Sequence, residues 1–233
     1  MLTTVCFDAD DTLWHNERFF KLTQARFAEL LADVAPPAHL AERLLAAERR
    51  NLGHYGFGIK GFTLSMIETA LEVSGNHVPG EVIAEIVAAG REMLRHPIEL
   101  LPGAAETVLA LSHDFCLLLI TKGDLMDQER KLAQSGLGDL FDGVEIVSEK
   151  TPAVYRRIFR RRGIAPEAAL MAGNSLKSDV IPVLEAGGWG VHVPHGLEWA
   201  LEAAEAPGGH ARFCEIADLS ELPGVVRAIC NKM

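Results

Sequence analysis

The chain falls into three stretches of different period. Thr3-Thr4-Val5-Cys6-Phe7 is a short β-prone run that stops abruptly at polar residues. A buried parallel strand whose carboxyl end reaches a functional edge has this pattern. From about Glu17 to His96 the spacing is helical. Phe19, Phe20, Leu22, Phe27, Leu30 and Leu31 mark one helix, and a second follows Pro36-Pro37. A third spans Thr63–Val73 and a fourth Glu81–Leu94, with no strand pattern between them. Past Pro97 the two patterns alternate. Helix Ala104–Leu111 precedes the apolar run Phe115–Ile120, and helix Leu125–Gln134 stops at Gly136. Strand Val144–Val147, helix Pro152–Arg162 and strand Ala169–Ala172 follow, then helix Leu176–Ala186 and strand Gly190–Val193. Pro152 suits a first helical turn, and Gly187-Gly188 suits a helix stop. Glu198–His210, rich in Ala, Glu and Gly, reads as a surface segment.

Strands alternating with helices predict α/β architecture with a parallel sheet. The helical stretch then reads as an insertion after the first strand. This predicts a core domain from residues 1–15 and 98–233 and an inserted helical domain from 16–97. A length of 233 residues suits one domain and a sizeable insert.

Composition narrows the function. Apolar residues at 48% and charged residues at 23% exclude disorder and coiled coil as descriptions of the whole chain. A net charge of −10 argues against a nucleic acid polymer as partner. The arginines from Arg156 to Arg162 read as a solvated helix face. Cys6, Cys116, Cys214 and Cys230 form no CxxC pair. Cys6 and Cys116 lie in apolar runs and are expected to be buried free thiols. The N-terminus lacks signal-peptide character, and no apolar run approaches a membrane span. A cytoplasmic protein with no membrane partner is expected.

The ends of the strands carry the chemistry, because ligands of parallel α/β sheets bind beyond the carboxyl ends. Asp8, Asp10, Asp11 and Thr12 follow the first strand; Thr121, Lys122 and Asp124 the second; Lys150 the third; Asn174, Ser175 and Asp179 the fourth. Any one segment alone reads as turn and cap residues, but four at one edge do not. Crowded carboxylates repel, and a hard divalent cation removes the repulsion. Oxygen donors with no His or Cys expected nearby favour Mg2+ over zinc. Lys150 and the Thr121 hydroxyl suit a phosphate, so the set fits phosphoryl transfer.

Asp8-Ala9-Asp10-Asp11-Thr12-Leu13 matches the DxDxT motif of the haloacid dehalogenase-like (HAD) superfamily. Thr121 after an apolar strand, Lys150, and Gly173-Asn174-Ser175-Leu176-Lys177-Ser178-Asp179 resemble its second, third and fourth motifs, in the same order. The resemblance implies a three-layer Rossmann-like core with an inserted helical cap of type 1. It implies Asp8 as nucleophile and Asp10 as acid/base. Thr121 and the Lys122 N–H would hold the phosphoryl group, and Lys150 would neutralise charge. Asp8, the Asp10 carbonyl, Asn174 and Asp179 would bind Mg2+. Asn174 departs from the pattern, which usually has Asp there; an amide oxygen still ligates a hard cation but carries no charge.

Asp10 separates chemistries within the superfamily, since a dehalogenase needs no acid there. The expected activity is hydrolysis of a small phosphorylated metabolite by a monomer or homodimer. A phosphosugar mutase, a 5′-nucleotidase-type enzyme and a catalytically silent binding protein remain as alternatives. In the inserted domain, the Gly-rich stretch Gly53–Lys60 reads as an interhelical loop. Its His54, Tyr55 and Lys60 are candidates for reading the leaving group, against the plainer reading of a flexible loop with a packed aromatic.

Overall fold

The computed structural model describes residues 1–232 and resolves them into two compact units. The first comprises Met1–Glu17, Ile98–Lys122 and the chain from Gln128 onward; the second comprises Arg18–Pro97 and Gly123–Asp127.

The first unit is built on six parallel strands: β1 (Thr4–Phe7), β2 (Cys116–Lys122), β3 (Gly143–Val147), β4 (Ala169–Gly173), β5 (Trp189–His192) and β6 (Phe213–Glu215). Their order is β3-β2-β1-β4-β5-β6, so the first strand is central, with β2 and β4 beside it. Alternate side chains of a strand face opposite ways, and here both faces are covered. Val5, Phe7, Leu117, Leu119, Leu170 and Ala172 enter one apolar layer with Val108 and Val226. Those two come from helices α5 (Ala104–Ser112) and α9 (Leu222–Lys232). Cys6, Leu118, Ile120, Ala169 and Met171 enter the other with Tyr155, Ile158, Phe159 and Val183. This second layer is supplied by α7 (Pro152–Arg162) and α8 (Ile181–Glu185). The parallel sheet expected from the alternation and the three-layer core implied by the resemblance are therefore present. β6 and α9 were not anticipated. β6 has only three residues, too few to show a period.

Two local expectations are corrected. The helix expected over Leu176–Ala186 is a wide π-type turn at Leu176–Val180 followed by the short α8. Pro182 has no N–H to give the Ser178 carbonyl four residues back, and the buried Tyr155 hydroxyl donates there instead at 3.1 Å. Cys116 is exposed, not buried, because it opens β2 before the strand enters the core; Cys6 is buried as expected, and the described residues form no disulfide.

The second unit contains α1 (Glu17–Leu30, entering from the first unit), α2 (Pro37–Tyr55), α3 (Ile59–Val73) and α4 (Gly80–Arg95). Phe27, Leu31, Leu40, Leu44, Phe62, Met66 and Ile86 form its own core. The loop expected across Gly53–Lys60 shrinks to Gly56–Gly58. α2 continues through His54 and Tyr55, and α3 already includes Lys60. Only Gly56 (φ 71°) and Gly58 (φ 105°) there take the left-handed backbone that breaks a helix. Among the described residues no helix is long and apolar enough to cross a membrane.

Leu118 is fully buried at the centre of the sheet. Leu118→Ala is expected to lower unfolding free energy by about 2–5 kcal/mol, measured by urea denaturation. A loss within error would contradict this packing.

Candidate active site

The register of β1 places the first acid at the edge. The Asp8 amide continues the ladder by donating to the Ala172 carbonyl at 2.9 Å, and the chain then leaves the sheet. The turn that follows is tight, with Leu13 N–H donating to Ala9 O at 2.8 Å and Asp11 at φ 58°. The Asp11 carboxylate accepts from the Asn16 and Glu17 amides, each at 2.8 Å, and so organises the entry to α1.

Asp8 and Asp179 flank Lys150, and all three are buried. Lys150 Nζ donates to Asp8 Oδ1 in a short contact and to Asp179 Oδ1 at 2.6 Å. Burial pushes the Asp8 carboxyl up to about 7; Lys150 opposes this, while the charges of Asp179 and Asp10 add to it. For Lys150 burial alone favours the neutral amine, but the two carboxylates outweigh it and hold the ammonium form. Asp179 is fixed by a second bond, accepting from the Ser175 amide at 3.0 Å. A Cβ at position 173 would lie 2.3 Å from Asp179 Oδ2, so Gly173 is required for this approach.

Asp10 is held by three donors: Trp14 Nε1 at 2.8 Å, Lys131 Nζ at 2.9 Å and Gln128 Nε2 at 3.1 Å. Gln128 Nε2 also donates to Thr121 Oγ1 at 2.6 Å, and its buried Oε1 has no hydrogen-bond partner among the described residues. Asn174 meets the other side of the motif. With its amide nitrogen turned inward it donates to the Asp10 carbonyl at 3.1 Å, to Asp8 Oδ2 at 3.3 Å and to Thr12 Oγ1 at 3.2 Å. A carboxylate oxygen, a backbone carbonyl and a reversible side-chain amide thus converge on one point. That donor set suits a hard cation.

Asp8, Lys150 and Asp179 therefore form one group; Asp8, the Asp10 carbonyl and Asn174 a second; Asp10 and Thr121 a third through Gln128. Asp179 accepts from Lys150 Nζ and from the Ser175 amide. The Lys122 side chain turns to Ser178 Oγ at 2.7 Å and Glu202 Oε1 at 2.6 Å.

Sequence reasoning placed Gln128 and Lys131 only within the helix Leu125–Gln134 and read Glu202 as surface. Gln128 and Lys131 lie on α6 (Leu125–Ser135), three residues apart and so on one face, seven and ten residues after Thr121; that spacing was the available signal. Nothing local marks Glu202. Burial alone would raise its carboxyl, but Lys122 and hydrogen bonds from Ser178 and Ser175 hold it below the usual range. The expectation of no imidazole near the acids is also corrected. His15, His195 and Asp11 bring their ligand atoms within 4.8 Å of one another, and His192 Nε2 lies 3.1 Å from the Asn174 carbonyl. His15 is far in sequence from His195 and meets it only through the fold.

In the helical unit, Lys60 pairs with both Asp124 oxygens at 2.9 and 3.0 Å, and Asp124 accepts from the Asp127 amide at 3.2 Å. Tyr55 donates to Glu68 at 2.6 Å.

Residues 2–187 match the family model described as haloacid dehalogenase-like hydrolase. A haloacid dehalogenase-like hydrolase from Xanthomonas campestris superposes with a TM-score of 0.89 at 42% identity, over 99% of this chain and 93% of that one. A glyceraldehyde 3-phosphate phosphatase of Methanothermobacter thermautotrophicus is 28% identical over 198 residues, 80% of this chain and 83% of its own. A HAD-hydrolase of Bacillus subtilis solved with magnesium shares the fold at 18% identity (TM-score 0.66, 97% of this chain and 98% of that one).

Two outcomes follow from the buried charges. Gly173→Ala is expected to lower stability by about 1–3 kcal/mol through overpacking against Asp179, read by denaturant unfolding; wild-type stability would show that Asp179 does not sit there. Asp8 titrates at about 7 in the fold against 3.8 ordinarily. Between these values the unfolded chain is ionised while the fold keeps the proton, so ionisation increasingly opposes folding as pH rises. Below 3.8 the group is neutral in both states, and above about 7 the full cost is present. The unfolding temperature of Asp8→Asn minus that of wild type should therefore climb from about pH 4 to about pH 7 and then level off, in chelator-treated buffer. A flat difference would mean that burial does not dominate.

Proposed function

Because the chain belongs to the haloacid dehalogenase-like hydrolase family, we propose that it hydrolyses a small phosphate monoester through an aspartyl-phosphate on Asp8. The observation that carries this reading is the buried Asp8–Lys150–Asp179 group with Asp10 and Thr121 at the same sheet edge. Asp8 attacks phosphorus and the ester oxygen leaves, taking a proton from Asp10. Asp10 then takes a proton from water, which attacks the acyl-phosphate, releasing phosphate and regenerating Asp8. Thr121 and the Lys122 N–H hold the phosphoryl oxygens, and Lys150 offsets charge on Asp8 and on the phosphoryl group.

Trp14, Gln128 and Lys131 keep Asp10 oriented through both steps. Asp8, the Asp10 carbonyl, Asn174 and Asp179 would hold Mg2+. When bound, the cation supplies charge neutralisation for the phosphoryl group. The relatives named as glyceraldehyde 3-phosphate phosphatases support a phosphorylated small sugar as the substrate class. The helical stretch predicted at 16–97 would serve as the cap.

The test is turnover of p-nitrophenyl phosphate and of a phosphosugar panel including glyceraldehyde 3-phosphate, with Mg2+. Turnover should fall by at least about a thousandfold in Asp8→Asn. It should vanish with EDTA and return with Mg2+. Activity equal in wild type and Asp8→Asn would remove the nucleophile assignment, and EDTA-resistant activity would remove the metal.

A further inference from the structure

The segment between β5 and β6 brings an acid to the site from outside the shared family region. Glu202 lies beyond residues 2–187, the span that the family model matches. Its side chain is only 16% exposed. One oxygen accepts from Lys122 Nζ at 2.6 Å; the other accepts from Ser175 Oγ at 2.7 Å and, in a short contact, from Ser178 Oγ. Lys122 Nζ closes the ring by donating to Ser178 Oγ at 2.7 Å. Ser175 Oγ accepts from the Ser178 amide at 3.0 Å, and the Ser175 amide holds Asp179. Lys177 Nζ anchors the same stretch by donating to the Leu201 carbonyl at 2.6 Å.

This network joins three segments. The residue after Thr121 ends β2; the wide turn follows Asn174 and carries Asp179; the third segment supplies the carboxylate. We propose that Glu202 is a positioning residue for phosphate binding, fixing the Lys122 side chain and the Ser175–Asp179 turn before substrate arrives. That the edge binds phosphate rests on the hydrolase reading above. The physical reason is preorganisation. A lysine on four flexible bonds, one residue from Thr121, loses its rotamer freedom on folding instead of on binding. A wide turn interrupted by Pro182 has fewer internal bonds to hold it than a regular helix, and two serines tied to one carboxylate replace them. Glu202 touches no reacting atom in this arrangement; it acts through Lys122, Ser175 and Ser178.

The test uses the full chain with Mg2+ and inorganic phosphate as probe. Calorimetric titration should show phosphate binding about tenfold weaker in Glu202→Gln than in wild type. For p-nitrophenyl phosphate, KM should rise by a similar factor while kcat changes less than about threefold. A merely structural glutamate would lower the unfolding temperature and leave phosphate affinity and KM unchanged, and that result overturns the proposal. Tighter phosphate binding overturns it too, since Glu202 would then serve to mask the Lys122 charge. Lys122→Met provides the second arm. It should show the same loss, and the double variant should lose no more than either single one; additive losses count against a shared network. Wild type that binds phosphate without turnover would defeat the hydrolase reading and leave this proposal to be judged on calorimetry alone. Wild type that binds no phosphate overturns both.

Discussion

Lys150 buried between two carboxylates is the constraint on which the remainder of the site depends. Removing one ammonium and two carboxylates from water is expensive, and their attraction repays this only when every remaining polar atom is also bonded. The structure meets the condition for Asp179, whose second oxygen takes the Ser175 amide. It meets it less fully for Asp8, whose second oxygen has only the long Thr12 contact and the Asn174 amide. The asymmetry has a chemical meaning. Asp179 is locked to the lysine, while Asp8 sits near its titration point, with an oxygen turned toward the convergence at Asn174.

The backbone around this triad follows from the same demand. Gly173 has no side chain because Asp179 needs the space. The chain then widens into a π-type turn, a feature often found at functional sites. Pro182 frees the Ser178 carbonyl, Tyr155 from α7 in the same layer fills it, and Glu202 ties the hydroxyls of Ser175 and Ser178. The end of β4, helix α7 and a loop outside the family region thus meet at one short turn.

The helical unit reaches its fold by ordinary means, with its own apolar core and two left-handed glycines making the turn between α2 and α3. Reading that stretch as an eight-residue loop gave too much weight to glycine. Gly53 and Gly61 sit inside helices, since each helix has enough buried apolar contacts to absorb one poor helix former. Helical placement also gives His54, Tyr55 and Lys60 fixed backbone positions, and Tyr55 and Lys60 already have carboxylate partners within the unit.

By itself the sequence determined the parallel sheet, the inserted helices and the polar residues at the strand ends. Those signals are local: a period, a breaker, or an acid directly after an apolar run. The strand-end segments also needed no long-range knowledge to be grouped, because a parallel sheet sends all its carboxyl ends to one edge. Only the tertiary structure decided which partners those residues have. Asp10 takes hydrogen bonds from Gln128 and Lys131, 118 and 121 residues away, and Lys122 reaches Glu202 across 80. A glutamine or lysine on an amphipathic helix, or a glutamate in an Ala- and Glu-rich segment, looks the same in sequence whether it faces water or a buried acid. Its environment is fixed by the packing of elements far apart in the chain. Burial and the charges of Lys150 and Asp179, likewise far away in the chain, shift the titration of Asp8.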